Sequence, residues 1–145
     1  MPRSTIYLPD VNVWLALASR KHIHCGICSA WLDTIDSEAI VFCRITQMGL
    51  LRLLTNPVVM GTDVVTSRDA WRAYRTILAD ERIGFAPEPF TLETGWKKLT
   101  MLDRPASKIW TDAYLAAFAQ SAAMRLVTLD RGLLRLAPQS LCLIP

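Results

Sequence analysis

No stretch of this sequence is both long enough and apolar enough to cross a bilayer. The longest run without a charged residue, Ala113 to Met124, has 12 residues, whereas a helical span takes about 20. Nothing at the start reads as a secretory leader: Met1-Pro2-Arg3-Ser4 runs straight into Ile6-Tyr7-Leu8, with no apolar segment followed by a small-residue cleavage site. A cytoplasmic chain with no membrane partner is therefore expected, even though 52% of its residues are hydrophobic and its mean hydropathy is +0.25. That apolar surplus points instead to a sheet buried on both faces and to an apolar patch for a protein partner.

Histidine and cysteine are scarce, with two and four copies. Both histidines and two cysteines gather in His22-Ile23-His24-Cys25-Gly26-Ile27-Cys28, which invites a zinc or redox reading. The stretch lacks the second Cys-x-x-Cys that would close a structural tetrahedron, and it lacks a thioredoxin-like setting. Most of the four cysteines (Cys25, Cys28, Cys43 and Cys142) sit among apolar residues, so reduced thiols are expected rather than bridges. Charge of one sign is not concentrated: 16 Lys and Arg against 13 Asp and Glu leave +3, compatible with a polyanionic partner but not demanding one. Repeats, linkers and low-complexity segments are absent. The 145 residues make one domain, 1–145, long enough to bury a core without disulfides.

What is present is an alternation of short apolar runs and helical periods. Ser4 to Leu8 reads as a strand, followed by a helix from Val11 to Ser19 with Val11, Leu15 and Ala18 at helical spacing. Cys25 to Ile35 is helical, Ala39 to Cys43 a strand, and Ile45 to Leu54 a helix stopped by Asn56-Pro57. Asn56 to Thr66 reads as a loop, after which Thr66 or Ser67 caps a helix reaching about Ala79. A strand at Ile83 to Ala86, helices at Leu92 to Leu102 and Lys108 to Met124, a strand at Leu126 to Leu129 and an edge strand at Leu141 to Ile144 complete the chain. The fold class is α/β, with a mostly parallel central sheet of four to five strands flanked by helices on both faces.

Three acidic residues stand out from the solvated ones. Asp10 and Asp130 follow apolar strand runs, Pro9 apart, and Asp112 lies in the opening turns of the helix before the last of these strands. In a parallel α/β sheet those places converge on the rim at the C-terminal ends of the strands. Carboxylates gathered there repel one another, and protons or a cation must compensate; an oxygen donor set with open positions suits Mg²⁺ or Mn²⁺. Taken singly, Asp10 and Asp112 could instead cap helices and Asp130 could begin a turn. Arg44, Arg52, Lys108, Arg131 and Arg135 lie near these positions and could form a basic rim.

The segments IYLPDVNVWLALA, CRITQMGLLRLLTNP, TDAYLAAFA and LVTLDRGL, in that order between Ile6 and Leu133, resemble the four signature blocks of PIN domains, in particular the VapC toxins of bacterial toxin–antitoxin pairs. The resemblance implies a PIN-like fold and makes Asp10, Asp112 and Asp130 the catalytic, metal-holding acids. It makes Asn12 a supporting residue of the first block and Thr128 a hydroxyl that orients an acid or a water. The second block usually supplies a Glu where this sequence has Gln47, which keeps an oxygen but loses a charge. Arg52, further along that block, is a candidate for phosphate contact. The chemistry implied is Mg²⁺- or Mn²⁺-dependent hydrolysis of RNA phosphodiesters. The partners implied are an RNA substrate, a small cognate antitoxin protein and a second copy of the chain in a homodimer.

Two other functions compete. Gln47 motivates a catalytically weak RNA-binding or regulatory PIN module. A haloacid-dehalogenase-type phosphatase would want Asp-x-Asp after the first strand, and Asn12 stands in its third position. Among the five tryptophans, Trp14, Trp31 and Trp71 read as core or interface residues, with Trp14 and Leu17 or the Ile45 to Leu54 helix offered as an association surface. Trp110, just before Asp112, is the candidate for substrate contact.

Overall fold

Side chains alternate from face to face along a strand, and here both sets are apolar, so the sheet is covered twice. The computed structural model describes residues 4–145; Met1 to Arg3, part of the start that reads as leaderless, lie outside the described residues. The strands are β1 (Ile6–Pro9), β2 (Ala39–Phe42), β3 (Ile83–Phe85), β4 (Arg125–Thr128) and β5 (Leu141–Cys142). They form one sheet in the order β3-β2-β1-β4-β5, with every neighbouring pair parallel. The helices are α1 (Val11–Ala18), α2 (Cys25–Asp33), α3 (Arg44–Leu54), α4 (Pro57–Met60), α5 (Ser67–Leu78), α6 (Leu92–Thr100) and α7 (Trp110–Ser121).

On one face Ile40, Phe42, Ile83 and Val127 pack with Val13, Trp14, Leu50, Leu54 and Tyr74 from α1, α3 and α5. On the other, Leu8, Cys43 and Leu126 pack with Leu92, Leu115 and Phe118 from α6 and α7. The expected α/β architecture with helices on both faces is therefore what forms. Helices α1 and α3 approach so closely that a Cβ at Gly49 would stand 2.5 Å from Cγ2 of Val11, which is why a glycine stands at this point of α3. Arg82 ties α2 to the start of β3: its Nη1 donates to the carbonyls of Leu32 at 2.8 Å and Ile35 at 2.6 Å, while Nη2 meets Asp80 at 2.7 Å.

Several sequence boundaries are corrected. Asn56-Pro57 does end α3, but the same pair starts α4: the Asn56 side chain accepts from the amide of Val58 at 2.9 Å and proline fills the first turn, so Asn56 to Thr66 is a short helix and a 3₁₀ turn (Gly61–Asp63) rather than a plain loop. Asp130 likewise opens a 3₁₀ turn, Arg131–Arg135. The helix read as Lys108 to Met124 is trimmed to Trp110–Ser121, because Ala123 takes a left-handed conformation with φ 55°. There the amide of Met124 donates back to the carbonyl of Ala119 at 2.8 Å.

A left-handed alanine is strained by its Cβ, and glycine is the residue that such helix ends favour. Ala123→Gly is expected to raise stability by about 0.5–1 kcal/mol, read as a higher urea midpoint with an unchanged slope. A lower midpoint would mean that the turn carries no strain for glycine to relieve.

Candidate active site

The parallel sheet brings the C-terminal ends of β1 and β4 side by side, and the register sets Pro9 opposite Val127. Asp10 therefore leaves β1 at the level where Thr128 closes β4. Its amide donates to the carbonyl of Val127 at 2.8 Å, extending the ladder by one bond. Its side chain then caps α1: Oδ1 accepts from the amides of Asn12 at 3.0 Å and Val13 at 3.3 Å. Oδ2 accepts from the Thr128 hydroxyl at 2.5 Å. The helix-capping role weighed for Asp10 is real, and it fixes the carboxylate in one orientation without using all of its acceptor sites.

Thr128 is wholly buried and works in two directions, since its Oγ also accepts from the amide of Asp130 at 2.9 Å. One hydroxyl thus joins the ends of β1 and β4. Asp130 is exposed, and its Oδ1 accepts from the amide of Gly132 at 2.8 Å. A Cβ on Gly132 would meet that oxygen at 3.1 Å, so the small residue leaves the Asp130 carboxylate room. Asp112 sits in the first turn of α7, half-buried, with its helix N-terminus on the same rim.

Electrostatics links the three. Asp10 is only 8% exposed, and burial raises its carboxyl above the usual range; hydrogen bonds from Thr128, Val13 and Asn12 oppose the rise, and the charge of Asp112 adds to it. Asp112 is raised as well, first by burial and then by the charge of Asp130. The aspartates therefore repel in sequence, Asp130 on Asp112 and Asp112 on Asp10. They are not drawn around a single point: among the described residues, no three His, Cys, Asp or Glu side chains converge tightly enough to cage an ion. Their chemistry still fits a hard divalent cation, being all-oxygen, rich in negative charge and carrying acceptor sites that the protein leaves free.

The remaining candidates divide. Asn12 contributes its main-chain amide to Asp10, while its side chain is exposed. Gln47, on α3, is buried at 7% exposure, and its Oε1 accepts from Nη1 of Arg44 at 2.5 Å. Its acceptor oxygen thus has a protein partner on its own helix, one turn back. Nothing in the block pattern indicates this bond, although the i, i+3 spacing of Arg44 and Gln47 is a signal for it. Arg52 is exposed, about 12 Å further along α3 than Arg44 at 1.5 Å per residue, and its Nη2 lies 3.8 Å from the sulfur of Met48. Lys108, Arg131 and Arg135 are exposed.

Trp110 is 51% exposed beside Asp112 and is held edge-on against Trp96, whose Nε1 donates to the Trp110 carbonyl at 3.0 Å. Trp31 is buried and Trp71 is exposed. Trp14 is wholly buried, which corrects its reading as part of an association surface with Leu17. The four cysteines are free thiols. Burial, with the charges of Asp10 and Cys25 behind it, pushes the Cys28 thiol up to about 11. The thiolate is the form that binds metal or exchanges disulfides, and burial disfavours that form at Cys28, which packs in the core.

Comparison with known proteins bears on the family and the fold. The PIN domain family matches residues 7–138. Ribonuclease VapC41 of Mycobacterium tuberculosis is 48% identical over 128 residues, covering 85% of this chain and 88% of that protein. Among solved structures, VapBC2 from Rickettsia felis, bound to a DNA fragment from their promoter, superposes with a TM-score of 0.69 at 14% identity, covering 95% of this chain and 97% of the other. Mycobacterium tuberculosis VapC20, described as a sarcin–ricin loop cleaving toxin, superposes with a TM-score of 0.61 at 16% identity, covering 87% and 88%. At such identities the two structures speak to the fold alone.

Proposed function

We propose a function from one premise: the chain belongs to the PIN-domain family, in its VapC ribonuclease group. It acts as a divalent-metal-dependent endoribonuclease, the toxin of a VapBC-type pair. The observation that carries this reading is the buried Asp10 carboxylate, oriented by α1 amides and Thr128 and repelled by Asp112. Elsewhere in a protein such a charge would be a liability; on this rim it is the binding energy for a cation.

Asp10, Asp112 and Asp130 are the residues that would hold Mg²⁺ or Mn²⁺. A cation so held supplies a water of lowered pKa and offsets charge on the leaving oxygen of the phosphodiester. The chain contributes the rest. Thr128 keeps Asp10 and the Asp130 backbone in register. The capping amides of α1 stop Asp10 from rotating, and the exposed Asp130 faces the side open to substrate. The partners this reading implies are RNA, a small antitoxin protein and a second copy of the chain. Exposed apolar side chains such as Ile23 at 87%, Val58 at 92% and Trp71 at 46% are surface of the kind a protein partner covers.

The Gln47–Arg44 bond favours a second reading, an RNA-binding module of weak activity, because it occupies the oxygen offered in place of the usual acid. Single-turnover cleavage separates the two. Purified protein is expected to cut RNA with Mg²⁺ or Mn²⁺ and to stop when a chelator is added. RNA bound but left whole in both conditions would favour the module, and cutting that is indifferent to the chelator would end the metal assignment.

A further inference from the structure

Most arginines among the described residues lack a carboxylate partner, and Arg44 is one that is also pinned from two sides. Arg72 pairs with Asp69 at 3.2 Å and Arg82 with Asp80 at 2.7 Å. Arg44 is exposed, has no ion pair among the described residues, and is fixed in two other ways. Its Nη1 donates to Oε1 of Gln47 at 2.5 Å, and its guanidinium carbon lies 4.7 Å from the centroid of the Phe85 ring. Gln47 is itself buried, which restrains the anchor.

The location matters as much as the restraint. Tyr7 pairs with Ile40 and Phe42 with Phe85. Continued by three residues, the first register sets Cys43 opposite Asp10, one strand spacing of about 4.8 Å apart at the backbone; Arg44 follows Cys43 as the first residue of α3, and its guanidinium turns toward Phe85 of β3. It also opens the helix, where unpaired backbone amides favour an anion. Arginine loses much side-chain freedom when it grips an anion, and here Gln47 and Phe85 have removed that freedom beforehand. The unused donors of its fork suit the oxygens of a phosphodiester.

We propose that Arg44 is a phosphate contact for the RNA strand on the β2–β3 side of the rim that carries the carboxylates, with Gln47 and Phe85 as its positioning residues. The inference rests on the ribonuclease reading. It replaces Arg52 as the phosphate-binding arginine, and it accounts for Gln47 standing where the family pattern has an acid: a glutamate there would neutralise the guanidinium, whereas the amide holds it and leaves its charge for the substrate.

The test measures binding of a fluorescent single-stranded RNA to the full chain carrying Asp10→Asn, across a salt series, with thermal melts checking that each variant folds. Arg44→Ala is expected to weaken binding about tenfold to a hundredfold and to flatten the slope of log affinity against log salt by about 0.7, the share of one lost phosphate contact on a single strand. Arg44→Lys keeps the slope and loses part of the affinity, because lysine retains charge without the planar fork. Gln47→Glu, which still accepts from Arg44 but cancels its charge, flattens the slope as Arg44→Ala does. Phe85→Leu weakens binding and leaves the slope alone. Arg72→Ala serves as the control on a paired arginine and changes neither.

An Arg44→Ala chain that melts like its parent yet binds RNA with unchanged affinity and slope overturns the proposal. So does a Gln47→Glu chain with an unchanged slope. If the wild type neither binds nor cuts RNA, the ribonuclease reading falls and the phosphate contact falls with it. If the wild type cuts RNA while Arg44→Ala binds normally, only the contact falls.

Discussion

Asp10→Asn is expected to cut single-turnover RNA cleavage by at least about a hundredfold, the usual scale for losing one electrostatic element of an active site, while the protein folds as before. The reasoning separates the two duties of the residue. As a cap, asparagine is as good as aspartate, and its side-chain oxygen can accept from the amides of Asn12 and Val13 at the same places. Thr128, whose hydroxyl now donates to Asp10, can turn that hydrogen away and accept from the asparagine amide instead. What asparagine cannot restore is the charge. In metal-free buffer that charge is a cost, since burial and Asp112 both disfavour it. Melting temperature without metal should therefore hold or rise in the variant, and the stabilisation that Mg²⁺ confers on the wild type should shrink. Wild-type cleavage rates in Asp10→Asn would remove Asp10 from the chemistry. A collapse of the fold would show instead that the cap, not the charge, is its main task, and Asp112→Asn would then test the charge alone.

How much of this was legible in the sequence varies from residue to residue, for physical reasons. Asp10 and Asp130 could be placed because each ends an apolar run whose length admits only a short strand, and parallel strands gather such ends on one rim. Thr128 could be named as an orienting hydroxyl, but its hydrogen bond to Asp10 depends on a register between β1 and β4 that joins residues 118 positions apart. Local pattern carries no information about that register. Asn56-Pro57 misled because the same two residues stop one helix and start another, a distinction that depends on where the following amides go. The end of α7 was overrun because alanine rarely ends a helix in the left-handed region, and no glycine marked the stop. Gln47 was read against a family pattern as a diminished ligand. Its bond to Arg44 lies within α3, where a family block pattern carries no record of it.

Trp14 is the clearest case where helical spacing could not assign a side chain to core or surface, and it carries the largest expected effect on stability. Helix α1 buries Val13, Trp14, Leu15 and Ala16 in succession, so it shows no exposed stripe to tell one face from another. The Trp14 ring is wholly buried and lies flat on Phe42 at 3.7 Å between centroids, and Phe42 meets Tyr74 edge-on at 4.9 Å. That column joins α1, β2 and α5. Trp14→Ala empties its α1 end and is expected to cost about 3–5 kcal/mol, a large part of the total for a domain whose stability is about 5–15 kcal/mol. The denaturant midpoint should fall sharply with little change in slope.

Trp14→Phe should cost much less than alanine. It keeps an aromatic ring against Phe42, and it removes an indole Nε1 that has no hydrogen-bond partner among the described residues, a buried donor whose neglect costs about 1–3 kcal/mol. The order wild type, then phenylalanine, then alanine is thus expected, with phenylalanine nearer the wild type. A Trp14→Ala chain that unfolds at the wild-type midpoint but fails to associate with itself would return Trp14 to the surface role that its sequence position first invited, and would undo the α1–β2–α5 column on which this side of the fold rests.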